Sequence, residues 1–243
     1  MTGNNLNASG QTQFWVVIPA AGIGARMRAD RPKQYLPLLG KTVIEHTLDQ
    51  LLEHPRIAGL VVAISPADTY WQKLPYADDP RVVSVTGGDV RAASVLNGLT
   101  RLKRIIAQQD WVLVHDAVRP CISYKDLDQL FNMAAELEQG AILGMPVRDT
   151  IKQADQRGAI EKTVDRTGLW HALTPQMFRL GQLIKAIETS VELEFEVTDE
   201  ASAMENVGYR PTLIAGDVQN IKITRPEDLP LAEMILSAAS PRS

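Results

Sequence analysis

The sequence predicts an α/β fold in which a doubly wound, mostly parallel sheet carries a projecting β-hairpin arm. Short apolar runs alternate along the chain with segments of helical spacing, which is typical of a parallel sheet covered on both faces. This alternation stops at Pro146, where two polar runs surround a glycine-containing turn. The length of 243 residues allows one large domain or two small ones.

Five short, mostly apolar runs predict strands buried on both faces of the sheet. They are Phe14–Pro19, Leu60–Ile64, Val82–Val85, Trp111–Val114 and Ala141–Met145. Helices are predicted between them. Thr42 and Glu45 form a capping box for the first helix, an apolar stripe marks a second over 90–106, and Ser123 with Asp126 caps a third.

The last third of the chain predicts further helices and strands. They lie near Leu180–Thr189, from Thr198–Glu200 onward, near Thr212–Ala215 and near Asn220–Ile223. A capping box of Thr224 with Glu227, with Pro226 in the first turn, predicts a final helix.

The segment from 147 to 166 predicts a hairpin. Thr150–Ala154 and Ile160–Val164 alternate in polarity around the turn Asp155–Gly158. Little in it could be buried against the main sheet. It is therefore either an ordinary surface hairpin or an arm that packs on another subunit.

The sequence lacks the features of a signal peptide, an interdomain linker, a repeat and a membrane span. Residues 1–13 form a polar tail without the positive and apolar regions of a signal peptide. No linker or repeat divides residues 14–240, so we expect one domain that includes an arm at 147–170. Apolar stretches are too short for a membrane span.

Composition excludes several classes of function. The formal net charge of −4 argues against a protein that coats nucleic acid. Cys121 is the single cysteine, which excludes an internal disulfide and a cysteine-based zinc site and fits a cytoplasmic location.

The first strand ends in a loop of small residues followed by two cations. Gly22 and Gly24 let backbone N–H groups approach an anion, and Arg26 and Lys33 add positive charge. The glycines alone fit a tight turn equally well, but the cations favour a nucleoside triphosphate. A dinucleotide fingerprint would need a small residue where Met27 stands, which disfavours an NAD-dependent oxidoreductase.

Two further strand ends carry candidate site residues, because ligands of open α/β sheets bind there. Gly87 and Gly88 allow close approach to a base or sugar, while Asp89 either faces that ligand or caps the next helix. Asp116 follows the fourth strand and is a candidate Mg²⁺ ligand, since Mg²⁺ takes carboxylates together with phosphates. His115 is interpreted as a core residue rather than a base.

Several motifs in sequence order resemble the 2-C-methyl-D-erythritol 4-phosphate cytidylyltransferase family. They are Pro19–Gly22 with Gly24, Arg26 and Pro32–Gln34, then Gly88–Asp89, His115–Pro120, Arg148–Thr150, Thr163–Arg166, Trp170–Gln176, Thr198–Ala201 and Asn220–Lys222. The resemblance implies a Rossmann-like nucleotidyltransferase sheet. It also implies an enzyme that joins CTP and methylerythritol phosphate with release of pyrophosphate, uses Mg²⁺ or another divalent cation, and forms a homodimer through the arm.

The resemblance also implies roles for individual residues. Arg26 and Lys33 would be catalytic, and Asp116 would hold the metal. The implied nucleotide-binding residues are Ala20, Ala21, Gly22, Gly24, Gly88, Asp89, Ser94, Ala117 and Arg119. The implied substrate-binding residues are Thr150, Arg166, Thr174, Thr198 and Lys222, of which the first two would reach into a neighbouring subunit.

Two other functions remain open at this level. A cytidylyltransferase for another polyol phosphate, such as ribitol 5-phosphate, would share the nucleotide motifs. A non-catalytic nucleotide-binding module could use the same sheet.

Overall fold

The computed structural model describes residues 10–22 and 30–238, and over these residues it contains eleven strands and six helices. The strands are β1 (Phe14–Ala20), β2 (Pro37–Leu38), β3 (Lys41–Thr42), β4 (Ile57–Ile64), β5 (Val82–Thr86), β6 (Trp111–Val114), β7 (Ala141–Pro146), β8 (Ile151–Ala154), β9 (Ile160–Val164), β10 (Trp170–Arg179) and β11 (Thr212–Ala215). The helices are α1 (Val43–Leu52), α2 (Arg91–Leu102), α3 (Tyr124–Met133), α4 (Leu180–Glu192), α5 (Glu200–Asn206) and α6 (Asp228–Ala238).

Seven strands form one sheet in the order β11-β7-β10-β6-β1-β4-β5. Every neighbouring pair is parallel except those of β10, which runs antiparallel between β6 and β7. The predicted mostly parallel α/β sheet is therefore confirmed. The sequence did not predict β10, the one antiparallel strand of this seven-stranded sheet.

Helices cover both faces of the sheet because successive side chains of its strands point in opposite directions. Val16 and Ile18 of β1 belong to an apolar cluster with residues of α1 and α3. Val17, between them, belongs to a second cluster with residues of α2 and α4. This is the doubly wound arrangement that the alternation of elements predicts.

The capping predictions for α1 and α3 are confirmed. The Thr42 side chain accepts from the Glu45 backbone N–H, and the Glu45 carboxylate accepts from the Thr42 N–H. The Ser123 hydroxyl accepts from the Asp126 N–H. Each bond satisfies a donor that the first turn of a helix leaves unpaired.

The predicted hairpin is also confirmed: β8 and β9 pair with each other in a two-stranded sheet of their own. Most of its side chains are exposed. The Val147 N–H donates to the Leu169 carbonyl, which brings the two ends of the arm together where it joins the main sheet. The extent of the single domain stays a prediction.

Three sequence predictions near helix ends are wrong. Asn220–Ile223 is not a strand. Its backbone bonds to the backbone of the loop after β6 where the Ile223 N–H donates to the Val118 carbonyl. The predicted Thr224–Glu227 capping box is absent, because the Asp228 carboxylate accepts from the Thr224 N–H instead and Pro226 precedes the helix. The second helix ends at Leu102 rather than at 106.

Across the described ranges, none of the six helices is long enough and apolar enough to cross a membrane. The first nine residues of the predicted polar tail lie outside the described residues.

A close contact between α2 and β1 gives a test of this packing. A Cβ on Gly98 would lie 2.5 Å from a methyl carbon of Val17. We expect Gly98→Ala to lower the free energy of unfolding by about 1–3 kcal/mol through overpacking, although Ala is the better helix former. Thr100→Ala on the exposed side of α2 should change it by less than about 0.5 kcal/mol. Denaturant unfolding of both variants checks this, and a neutral Gly98→Ala would contradict the close packing.

Candidate active site

A cavity of about 190 Å³ opens at the carboxyl ends of β1, β5 and β6. The chain runs from β1 outward to β4 and β5 and then returns to β6 on the other side of β1. Such a reversal leaves a crevice where the connecting loops diverge, and open α/β sheets bind their ligands there. The described residues that line it are Pro19–Gly22, Lys33, Gln34, Gly88–Arg91, Ser94, Asp116–Val118 and Lys222.

The loop after β1 forms one wall. The side-chain amide of Gln34, itself buried, donates to the Ala20 carbonyl at 2.7 Å and fixes the exit of the strand. Lys33 precedes it at the start of a 3-10 turn, and its ammonium donates to the Ile223 carbonyl at 3.3 Å. Gly24 and Arg26, predicted to belong to this loop's site, lie outside the described residues.

The glycine pair after β5 forms a second wall. A Cβ on Gly87 would lie 2.5 Å from that of Ala21, so glycine is needed for the two loops to meet. The Gly88 N–H donates to the buried Ser94 hydroxyl at 3.0 Å, which ties this loop to α2. Val90 is the residue at the N-cap position, so the alternative reading of Asp89 as a helix cap is wrong and Asp89 lines the cavity.

Asp116 occupies the floor of the cavity and is surrounded by cations. Its carboxylate lies 2.9 Å from the Lys222 ammonium, 3.3 Å from Nη2 of Arg91 and 3.3 Å from Nε of Arg119. Burial by itself would raise the pKa of Asp116, but Arg91, Lys222 and Arg119 outweigh it and hold the pKa well below its ordinary value. Asp116 is therefore ionised at neutral pH.

Arg91 and Glu200 complete this cluster, and sequence reasoning gave neither of them a role. Both guanidinium Nη atoms of Arg91 donate to the Glu200 carboxylate, at 2.6 and 3.1 Å. Glu200 is only 2 % exposed. A glutamate at the first position of a helix is common, because a negative charge there is favourable for the helix. The sequence around Glu200 therefore gives no sign of its pairing with Arg91.

His115 is a buried core residue, as predicted. One ring nitrogen contacts the Arg119 carbonyl at 3.1 Å and the other contacts the Thr174 hydroxyl at 3.1 Å. Burial lowers its pKa to about 4. The same Thr174 hydroxyl accepts from the Asp116 N–H, so Thr174 supports the floor of the cavity.

The structure does not bring all predicted substrate residues to the cavity. Thr150 and Arg166 lie at the base of the arm, both exposed, and Arg166 donates to the Arg148 carbonyl. Thr198 is exposed just before the Asp199 N-cap of α5. In this single chain they do not line the cavity, whereas Lys222 does.

The donor set decides what kind of metal site is possible. Within the described ranges, no three side chains of the His, Cys, Asp and Glu types cluster as they do in a self-sufficient metal site. The cavity instead offers Asp116 and Asp89 beside room for a ligand. Mg²⁺ needs only one or two carboxylates when substrate phosphates supply its other ligands. The residues fit a nucleotide-borne divalent cation.

A switch-point cavity with glycine-containing loops and Lys33, Arg91, Arg119 and Lys222 around it defines an α/β nucleotidyltransferase type of protein. Backbone N–H groups and cations there suit a polyphosphate.

Comparisons with known proteins make this assignment specific. The sequence profile of 2-C-methyl-D-erythritol 4-phosphate cytidylyltransferase matches residues 14–238. The enzyme of that name from Tolumonas auensis is 54 % identical over 223 residues, covering 92 % of this chain and 96 % of its own. The Vibrio cholerae one is 52 % identical over 230 residues, covering 93 % and 97 %.

Solved structures agree. A 4-diphosphocytidyl-2C-methyl-D-erythritol synthase superimposes with a TM-score of 0.81 at 40 % identity, covering 92 % of this chain and 98 % of its own. The Francisella tularensis 2-C-methyl-D-erythritol 4-phosphate cytidylyltransferase gives 0.78 at 37 % identity, covering 92 % and 100 %. The chain belongs to the 2-C-methyl-D-erythritol 4-phosphate cytidylyltransferase family.

The low pKa of His115 predicts a dependence of stability on pH. An unfolded histidine takes up a proton near pH 6.5, while folded His115 resists protonation down to about pH 4. The stability that this difference contributes is present above pH 6.5 and is lost as the pH falls toward 4. The free energy of unfolding should fall between pH 7 and pH 5 in both proteins. We expect this fall to be about 1–2 kcal/mol smaller in His115→Gln than in the unmodified protein. Equal losses in denaturant unfolding would contradict this.

Proposed function

We propose that this chain transfers CMP from CTP to 2-C-methyl-D-erythritol 4-phosphate in non-mevalonate isoprenoid biosynthesis. The products are 4-diphosphocytidyl-2-C-methyl-D-erythritol and pyrophosphate. The observation that carries the proposal is the family match over residues 14–238 together with a cation-lined cavity at the switch point of the sheet. The single cysteine, buried Cys121, is consistent with a cytoplasmic enzyme.

The chemistry requires positioning and charge rather than a protein base. An oxygen of the substrate phosphate attacks the α-phosphorus of CTP, a new P–O bond forms, and the bond to the β-phosphate oxygen breaks as pyrophosphate leaves. A phosphate monoester is mostly dianionic at pH 7, because its second pKa is about 6. The attacking oxygen therefore needs no deprotonation, and buried, uncharged His115 is not required for it.

The nucleotide is held by the walls of the cavity. Ala20, Ala21 and Gly22 line the cavity and would present backbone groups to the triphosphate and the cytosine. Gly24 is assigned to the nucleotide by the family motif and lies outside the described residues. Gly88, Asp89 and Ser94 face the base and ribose, and Ala117 and Arg119 close the floor. Small residues on both walls let backbone donors reach the ligand.

The cations bring two polyanions together. Lys33, in the described part of the loop, and Arg26 would stabilise the charge that builds up on the phosphates in the transition state. Lys222 is 38 % exposed at its side chain and contacts Asp116, so it is placed to exchange that contact for the incoming phosphate. Thr174 would support the acceptor site from beneath through Asp116. Thr198 is also assigned to the acceptor, and in this single chain it lies exposed outside the cavity.

Asp116 would hold Mg²⁺, or another divalent cation, together with the triphosphate. Such an ion neutralises phosphate charge when bound. Arg91 and Arg119 keep the carboxylate fixed in place meanwhile.

The arm would complete the site of a second copy. Thr150 and Arg166 are exposed on a hairpin that forms its own small sheet, and in the single chain they do not reach the cavity. A homodimer in which each arm reaches the neighbouring cavity would give both residues a substrate to contact.

A direct assay tests the reaction and its acceptor. The protein is incubated with CTP, Mg²⁺ and either methylerythritol phosphate or ribitol 5-phosphate, and pyrophosphate is measured against a reaction without acceptor. We expect release with methylerythritol phosphate. Release with ribitol phosphate alone would overturn the proposed acceptor, and CTP binding without release in either reaction would indicate a non-catalytic module.

Lys33 and Arg26 give a prediction about the chemical step. Loss of a positioned donor to the transition state costs about 10²-fold or more in turnover. We expect Lys33→Ala and Arg26→Ala to lower kcat by that factor. Lys73→Ala, an exposed lysine on another loop, should leave kcat unchanged. Rates near normal in the first two variants would exclude their role.

Arg166 gives a prediction about the arm. Arg166→Ala should raise KM for methylerythritol phosphate and leave CTP affinity unchanged, while Arg157→Ala in the turn of the arm serves as the control. Mixing Lys33→Ala with Arg166→Ala subunits tests sharing between copies. If arms cross, half of the randomly formed dimers contain one intact site, and about a quarter of the activity returns. If each arm serves its own subunit, none returns.

A further inference from the structure

We propose that Glu200 is a positioning residue for the reaction. It holds Arg91 in the wall of the cavity, so that Arg91 contacts Asp116 without forming its principal ion pair with it. The inference builds on the proposed function. Glu200 has no part in the binding of either substrate described above.

The distances show which carboxylate controls Arg91. Its two Nη atoms reach the two oxygens of Glu200 at 2.6 and 3.1 Å. Its contacts with Asp116, from Nε at 3.4 Å and Nη2 at 3.3 Å, are both longer and share one oxygen. Two parallel N–H···O bonds fix the plane of a guanidinium. Glu200 therefore sets the orientation of Arg91, and Asp116 receives its remaining contact.

Glu200 is not needed to anchor α5. The helix start is already fixed by the Asp199 side chain, which accepts from the Ser202 N–H at 2.9 Å. Gln176 of β10 also binds this turn, since its amide donates to the Asp199 carboxylate and its carbonyl oxygen accepts from the Ala201 N–H, both at 2.8 Å. Burying the Glu200 carboxylate is costly, and these bonds fix the start of the helix without it.

The balance of charge explains its presence. Arg91, Arg119 and Lys222 carry three positive charges around one Asp116. Without Glu200, Arg91 would be free to close on Asp116 or on the incoming triphosphate. Glu200 takes the principal interaction of Arg91, which keeps only its longer contacts with Asp116, and Asp116 pairs also with Arg119 and with exchangeable Lys222. Asp116 can then take up its ligand when Lys222 exchanges its contact, without a change in the cavity wall.

A double-mutant cycle tests this role. Glu200→Gln keeps the shape of the side chain and removes its charge, and Glu205→Gln, exposed on the same helix, is the control. We expect Glu200→Gln to lower kcat/KM for CTP by about tenfold, the scale of one charge-assisted interaction, with less than a twofold change in KM for methylerythritol phosphate. CTP affinity measured by calorimetry without acceptor should fall in parallel.

The cycle is completed with Arg91→Gln and with Arg91→Gln/Glu200→Gln. If Glu200 acts through Arg91, its substitution has no further effect once Arg91 is changed, and the double variant equals Arg91→Gln. Effects that multiply, or a Glu200→Gln enzyme with unchanged kcat/KM for CTP, would overturn the proposal.

Two further readouts keep the result interpretable. If Glu200→Gln fails to fold, the double variant leaves no unpaired charge, and a double variant that still fails to fold would show that Glu200 is structural and overturn the proposal. The calorimetric comparison needs no turnover. Inactivity of the unmodified protein would therefore count against the proposed reaction, whereas a changed CTP affinity in the variants still reports on Glu200.

Discussion

A buried carboxylate that gathers cations from separate parts of the chain is the interaction on which the cavity depends. Asp116 at the end of β6 meets Arg91 from α2, its neighbour Arg119, and Lys222 from the segment before α6. Removing such a charge from water is costly unless it is paired. The three segments must therefore converge on one point. Arg119 also donates to the Asn220 carbonyl at 2.6 Å, so it holds the segment that carries Lys222 as well as Asp116.

Features that depend on local chemistry could be predicted from the sequence. β1 and β6 lie at the centre of the sheet, so both faces are apolar and their runs stand out. The caps at Thr42 and Ser123 were readable because capping involves residues only three apart. The hairpin was readable because its turn residues lie between two alternating runs. The positions of the glycine loops followed from where β1 and β5 end.

Features that depend on distant partners could not be predicted. β10 contains His171, Thr174 and Gln176, whose polar side chains hide the strand pattern. The two buried ones are hydrogen-bonded, Thr174 to Asp116 and His115 and Gln176 to the first turn of α5. Arg91 and Glu200 are 109 residues apart, and no pattern in the sequence around either residue indicates the other. Residues 220–223 have strand-like composition, but their polar groups bind the floor of the cavity instead of a neighbouring strand.

The antiparallel strand of the seven-stranded sheet joins the arm to the cavity of the same chain. β10 begins at Trp170, directly after the arm, and by Thr174 it already supports Asp116. At about 3.3 Å per residue, only about 13 Å of extended chain separates these points. Further along, Gln176 holds the start of α5. The base of the arm and the residue that supports Asp116 therefore lie on one strand of the same chain, and the pairing of that strand with β7 is irregular between Ala172 and Gln176.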